Sequence, residues 1–258
     1  MALKKVDSKR IKEISAVQGF ADEVLTKDYY VTAILYLLKD IDGIYFKGGT
    51  ALQKIFLNYS RLSEDVDYTV TGDMKKIKRK ITQIVMDSGF FEAVSEDKNV
   101  DNFLRIVFHY TNFTDRKDNV FIDLNKRAKL IQKPETHTLP HFYDEEIPCF
   151  SVRTLAAKEL FAEKLAATIG RNQPRDHYDI YMILKEGFAL DYELAKKKCK
   201  ASGYEFDLEK MFNKAKKLHK NWQEDMVPLL KELVEFEEVI KTLARHFDLK
   251  KVKGEKKK

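Results

Sequence analysis

Tyr45-Phe-Lys-Gly-Gly-Thr-Ala-Leu52, a short run to Ser60, and then Arg61-Leu-Ser-Glu-Asp-Val-Asp-Tyr-Thr-Val70 form the stretch on which the reading of this chain turns. Ile44 to Phe46 is apolar and too short for anything but a strand. Gly48 and Gly49 follow, where backbone can approach a ligand closely. Thr50 starts a helical run with Leu52, Ile55 and Phe56 on one face. A Gly-Gly-Thr turn that feeds a helix start offers free N–H groups to an anion. Asp65, Asp67 and Thr69 then alternate with Val66, Tyr68 and Val70, the period of two expected of a strand. Two carboxylates on one strand face repel each other, and a hard divalent cation is the usual reason to keep them there. One short stretch thus predicts a phosphate cradle beside a metal site.

Further strands are predicted at 90–94, 103–110 and 120–125, the last two joined as a hairpin by the polar loop 111–119. In the last strand Val120, Ile122 and Leu124 take one side, and Phe121, Asp123 and Asn125 the other. A carboxylate in an apolar strand is costly unless paired or metal-bound, so Asp123 is a candidate third ligand. Three such carboxylates suit nucleotidyl transfer, in which two metal ions clamp the attacking and leaving oxygens of an in-line displacement. Gly48, Gly49 and Thr50 would receive the β- and γ-phosphates through backbone N–H groups and a hydroxyl.

Outside this core the expected helices are 9–17 (capped by Ser8), 20–39 and 73–88. The third carries Lys75, Lys76, Lys78, Arg79 and Lys80 on its solvent face. Residues 128–148 read as irregular. From 154 the pattern is helical: 154–170, 175–186, 191–202, 207–219, and 221–247 with a break near Pro228. The domains expected are 1–150 (α/β), 151–249 (helical) and a lysine-rich tail, 250–258, without fixed structure. The tail carries +5 of the formal net charge of +6, and residues 1–13 carry +3, so the remainder is −2 (6 − 5 − 3). A basic pI therefore says little about nucleic-acid binding by the body of the protein. No apolar run of about 18 residues suggests a membrane span, no signal-peptide core is seen, and Cys149 and Cys199 read as thiols, so a cytoplasmic protein is expected.

A second cluster comprises Glu163, Lys164 and Arg171, followed by Pro174-Arg175-Asp176-His-Tyr-Asp179. Lys164, Thr168 and Arg171 share a helix face. Arg175, Asp176 and Asp179 are equally consistent with a salt-bridge network between two helices. Lys164, set among Leu160, Phe161 and Leu165, borders the core and could neutralise triphosphate charge. Lys164→Ala is expected to cost turnover more than stability.

Taken together, Lys47-Gly-Gly-Thr-Ala-Leu52, Arg61-x-Ser63-x-Asp65-x-Asp67, Ile122-Asp123-Leu-Asn-Lys-Arg127 and Glu163-Lys164…Arg171…Arg175-Asp176-x-Tyr178-Asp179 resemble the AbiEii/AbiGii-type nucleotidyltransferase toxins, a branch of the DNA polymerase β-like nucleotidyltransferase superfamily. The resemblance covers roughly residues 45–185. It implies an α+β fold, a minimal nucleotidyltransferase domain of mixed sheet and helices followed by a helical bundle. It implies Mg²⁺-dependent (or Mn²⁺-dependent) transfer of a nucleotide from an NTP to an acceptor, RNA and tRNA foremost, and a cognate antitoxin as partner. It places Asp65, Asp67 and Asp123 at metal positions and Lys164 and Asp179 at further catalytic positions. Lys47, Gly48, Gly49, Thr50, Ser63, Arg171 and Arg175 fall to nucleotide binding. The helix before Asp65 is slightly long for the pattern, so an extra residue or two is expected in the turn that follows it.

Other chemistries find less support. His137 and His141 are four apart, but Pro140 disfavours the helix that would make them zinc ligands. Asp176-His177 lacks a nucleophile at useful spacing, and there is no Walker motif. Two rivals stay open: a catalytically inactive nucleotide- or partner-binding protein on the same fold, and a nucleotidyltransferase with a protein or small-molecule acceptor.

Overall fold

The alternating stretch at Asp65 is a strand and lies at the centre of its sheet. The computed structural model describes residues 3–127 and 129–249; the expected lysine tail lies outside the described residues. Seven strands form one sheet among them: β1 (Ile44–Lys47), β2 (Asp65–Val70), β3 (Ala93–Val100), β4 (Phe103–Thr111), β5 (Lys117–Asn125), β6 (Glu135–Thr138) and β7 (Ser151–Thr154). Their order is β3-β4-β5-β2-β1-β7-β6. β2 runs parallel to β5 and β1 parallel to β7, while the other neighbours are antiparallel, so the sheet is mixed.

One sheet face is apolar. Val66, Ile106, Ile122 and Leu124 are fully buried, and each such side chain stabilises the fold by about 1.5–3 kcal/mol. Helices α1 (Ser8–Gln18), α2 (Asp22–Leu38) and α4 (Met74–Asp87) flank the sheet. α4 turns Ile77, Ile81 and Val85 inward, the helical spacing its sequence carries. Its N-cap Asp73 accepts a hydrogen bond from the Lys76 N–H.

Four local expectations are corrected. Asp7, not Ser8, caps α1, its carboxylate accepting from the Arg10 N–H. β3 begins at Ala93, beyond the buried Phe90 and Phe91, and is exposed along its whole length. As an edge strand it carries Glu96, Asp97 and Lys98 with a bulge between Glu96 and Lys98, devices that discourage pairing with another chain. β5 starts three residues before Val120 and pairs with β4 from Lys117 onward. The stretch expected to be irregular contains β6, which pairs with β7 from Glu135↔Thr154 to Thr138↔Ser151.

Between Gly48 and β2 the chain forms α3 (Gly48–Ala51), then a π-helical turn over Leu52–Phe56, then Asn58 and Tyr59 in the left-handed region (φ 44° and 53°). A π turn accommodates more residues than an α turn. It is pinned from below. Lys54 Nζ donates to Asp28 Oδ1 (2.6 Å) and Thr32 Oγ1 (3.0 Å). Gln53 Oε1 accepts from Ser60 Oγ (2.9 Å) and the Arg61 N–H (3.1 Å).

The chain divides into two compact units, the first ending at Ala156 and the second beginning at Ala157. The division falls after β7, because that strand belongs to the sheet. The second unit is helical: α5 (Ala157–Arg171), α6 (Pro174–Lys185), α7 (Tyr192–Ala201), a 3-10 turn (Leu208–Phe212), α8 (Ala215–Asp225), a 3-10 turn containing Pro228 (Val227–Leu229), and α9 (Phe236–His246). Trp222 sits in its core against Tyr178 and Phe236, with ring centroids at 6.4 and 5.6 Å.

Candidate active site

The end of β1, the Gly-Gly turn and the start of β2 bring the first group together. Gly48 has φ +78°, and a Cβ built on it would lie 2.1 Å from Asp67 Oδ2. Only glycine fits there, because both the backbone conformation and the carboxylate exclude a side chain. A Cβ on Gly49 would lie 2.8 Å from Arg61 Nη2 and 3.2 Å from Ser63 Oγ. Arg61 and Ser63 therefore flank the turn. Thr50 is buried, and its hydroxyl donates to the Asp65 carbonyl at 2.5 Å. That bond ties the start of β2 to the first helical turn, whose N–H groups lack acceptors within the helix. Gly48→Ala is expected to leave the fold intact, at about 1–3 kcal/mol of backbone strain. It should move the Asp67 carboxylate and lower transfer on the order of 10²-fold. A thermal melt beside a label-transfer assay checks both parts.

Pairing then sets the carboxylates. Lys47 lies opposite Asp67, Asp67 opposite Asp123, and Asp123 opposite Arg105. Opposed residues on neighbouring strands project to the same face, so the row reads plus, minus, minus, plus across β1, β2, β5 and β4. Asp65, two residues before Asp67, shares that face and lies opposite Phe121. Asp65 and Asp67 are half-buried, and Asp123 is only 8% exposed. Arg105 forks onto Asp123, Nε to Oδ1 and Nη2 to Oδ2, both at 2.7 Å. Its guanidinium also covers the Phe121 ring, 4.9 Å from the centroid. Among the described residues no three His, Cys, Asp or Glu side chains form a group that could hold a metal ion. The carboxylates of Asp65 and Asp67 offer oxygen donors suited to a hard cation; both oxygens of Asp123 accept from Arg105.

The second unit holds its own cluster. Lys164 Nζ lies 3.1 Å from Asp176 Oδ1 and 2.8 Å from Asp179 Oδ2. All three side chains are at most 6% exposed. Arg171 forks onto Asp176, Nε to Oδ2 at 2.6 Å and Nη2 to Oδ1 at 2.7 Å. Burial would push the Asp176 carboxyl up, but the Lys164 charge and the bonds and charge of Arg171 outweigh it and hold the group below the usual carboxylate range. Thr168 Oγ1 donates to the Lys164 carbonyl at 2.8 Å. Arg175, at the head of α6, is half-buried. The lysine compensates two buried carboxylates, so Lys164→Ala is expected to cost stability as well as turnover.

The profile described as "Nucleotidyl transferase AbiEii toxin, Type IV TA system" matches residues 33–248, most of the chain. The chain belongs to the AbiEii nucleotidyltransferase toxin family. Solved structures share the fold of this AbiEii member at low identity. JHP933 from Helicobacter pylori is 19% identical with a TM-score of 0.58, over 92% of this chain and 96% of its own. MenT4, a nucleotidyltransferase toxin from Mycobacterium tuberculosis, is 18% identical with a TM-score of 0.62, over 85% of this chain and 73% of its own. No curated protein matches the sequence significantly.

Two arginines of this AbiEii chain were not assigned from sequence. Arg61 stands in the quoted motif, yet its place beside Gly49 follows from the π turn and the left-handed residues between them. Arg105 is on the strand face opposite Leu104 and Ile106, which alternation reveals, but its place beside Asp123 depends on the β4–β5 register. On the other sheet face, α4 and the β3–β4 turn border a cavity of about 1180 Å³. Lys75, Lys78, Arg79 and Lys126 rim it, and Phe103 and Leu104 lie in its wall. Lys78 is paired with Glu96, while Lys75 and Arg79 are exposed.

Proposed function

We propose that the chain transfers a nucleotidyl group from an NTP to an RNA, with tRNA as the expected acceptor. It would do so as the toxin of a toxin–antitoxin or phage-defence pair, in the cytoplasm and opposed by a cognate antitoxin protein. The reading rests above all on the Gly48-Gly49-Thr50 turn lying directly against the Asp67 carboxylate, phosphate cradle beside cation site. Asp65 and Asp67 would hold Mg²⁺, with Mn²⁺ as a substitute. When bound, that ion would offset triphosphate charge and polarise the phosphoryl oxygens.

The chain's own groups do the remaining work. Backbone N–H groups after Gly48 receive the β- and γ-phosphates. Ser63 and Arg61 flank the turn, and Lys47 adds positive charge at the end of β1. Lys164, Asp179, Arg171 and Arg175 are assigned to the same reaction from the family motif.

Lys75 and Arg79, exposed on α4, would meet RNA phosphate away from the carboxylate face. Replacing Lys75 and Arg79 together with glutamate is expected to weaken RNA binding across sequences and leave NTP binding unchanged. The slope of log K against log salt should fall by roughly 0.7–0.9 for each phosphate that the variant no longer neutralises. Gel shifts over a salt series check this.

The test of the reaction is incubation with Mg²⁺, each labelled NTP in turn, and total RNA. Label in RNA that disappears with Asp65→Asn is the expected result. Label on protein or a small molecule would overturn the RNA acceptor. Nucleotide binding without transfer to anything would overturn catalysis in favour of a binding module.

A further inference from the structure

The nucleotidyl-transfer reading, on which this inference rests, ordinarily calls for two ions shared among three carboxylates. The third carboxylate of this chain is engaged otherwise. Arg105 meets both oxygens of Asp123 at 2.7 Å in the bidentate geometry that makes arginine–carboxylate pairs strong. The pair is held from several sides. Asp123 and Arg105 oppose each other in the β4–β5 register. Phe121 lies under the guanidinium at 4.9 Å. Asp97, on the bulge of β3, stands 3.7 Å from Arg105 Nη1. The side chains of Asp123 and Arg105 are 11% and 29% exposed, so water does little to loosen them.

A second ion at Asp123 would have to displace the guanidinium or sit beside it, cation against cation at a few ångströms in a poorly hydrated place. Asp67 is differently placed: it lies opposite Lys47, the residue before the phosphate-receiving turn, whereas Asp123 lies opposite Arg105.

We infer that this site works with a single divalent cation on Asp65 and Asp67, and that Arg105 permanently takes the place at Asp123 that a second ion would fill. Arg105 is a positioning residue in this scheme. It acts through Asp123, whose carboxylate it fixes and whose charge it neutralises.

Metal counting on the full chain tests this. Mn²⁺ is titrated in the presence of an NTP analogue that cannot be cleaved at the α–β bridge, and bound ions are read by electron paramagnetic resonance. The wild type is expected to bind one Mn²⁺ per chain without Mn–Mn coupling. Arg105→Ala is expected to bind two, with dipolar coupling between them, and Arg105→Ala combined with Asp123→Asn should return to one. Two coupled ions in the wild type, or one ion in a folded Arg105→Ala protein, would overturn the inference. If Arg105→Ala does not fold, Asp123→Asn alone decides. Unchanged Mn²⁺ affinity supports the arginine-held carboxylate, and a tenfold or larger loss shows that Asp123 is a ligand. Asp67→Asn separates the two levels of the reading. Loss of the single ion in that variant supports the underlying site, and its retention overturns that site and this inference with it.

Discussion

Asp67→Asn is expected to lower nucleotidyl transfer roughly a thousandfold while leaving the protein folded. The substitution keeps the shape of the side chain and removes its charge. A divalent cation stabilises the developing charge of phosphoryl transfer by several kcal/mol, and each 1.4 kcal/mol is a factor of ten in rate. Losing one of the two carboxylates that would hold the ion should therefore remove about three powers of ten. The fold has little reason to respond, since β2 is held by its backbone ladders to β1 and β5 and by the buried Val66, Tyr68 and Val70. Asp67 itself lies between Lys47 and Asp123 in the cross-strand row, so losing one negative charge relieves repulsion from Asp123 and gives up attraction to Lys47. The melting temperature should change little. Rates measured with labelled NTP and Mg²⁺, beside a thermal melt, test both halves. A variant that keeps a tenth of the wild-type rate would remove Asp67 from the cation site.

Local chemistry made that site legible. The alternation over Asp65–Val70, the paired glycines and the apolar flanks of Asp123 are all properties of a few consecutive residues. They led to the central strands and to the carboxylate face. What escaped was set by register and tertiary pairing. Glu135-Thr-His-Thr138 has no apolar alternation and becomes a strand only because β7 offers it a ladder. β3 is polar and exposed throughout, so burial left no trace in its sequence. Arg105 looked like any strand arginine until the β4–β5 pairing put it opposite Asp123. In the second unit α5, α6 and α7 were readable from their periodicity, but α8 runs across the break expected at 220, and the partners of Lys164 were not legible. Asp176 and Asp179 stand on the next helix, and whether they meet the lysine or a neighbouring arginine is a matter of packing.

Those partners decide what Lys164→Ala should do. The lysine compensates Asp176 and Asp179, which are 1% and 0% exposed. Arg171 remains on Asp176 after the substitution, whereas Asp179 loses its lysine at 2.8 Å. Removing one partner of a buried ion pair costs about 3–5 kcal/mol, because the remaining charge keeps its desolvation penalty without compensation. The second unit is expected to lose stability on that scale. Trp222, the sole tryptophan and 1% exposed in that unit, reports it directly through fluorescence in a denaturant titration. Removing the stranded charge should restore part of the loss, so Lys164→Ala with Asp179→Asn is expected to be more stable than Lys164→Ala alone. Acid should act in the same direction as the mutation. The Asp176 carboxyl is held below its unfolded value, so its pairing stabilises the fold above the ordinary carboxylate range and is lost as pH falls through the folded-state pKa. Catalysis is then judged beside the single Asp179→Asn variant. If Asp179→Asn keeps transfer and the double variant recovers stability but not transfer, Lys164 serves the reaction as well as the fold; if transfer returns with stability, its work is structural. A Lys164→Ala protein with wild-type stability would show that the two carboxylates find other compensation.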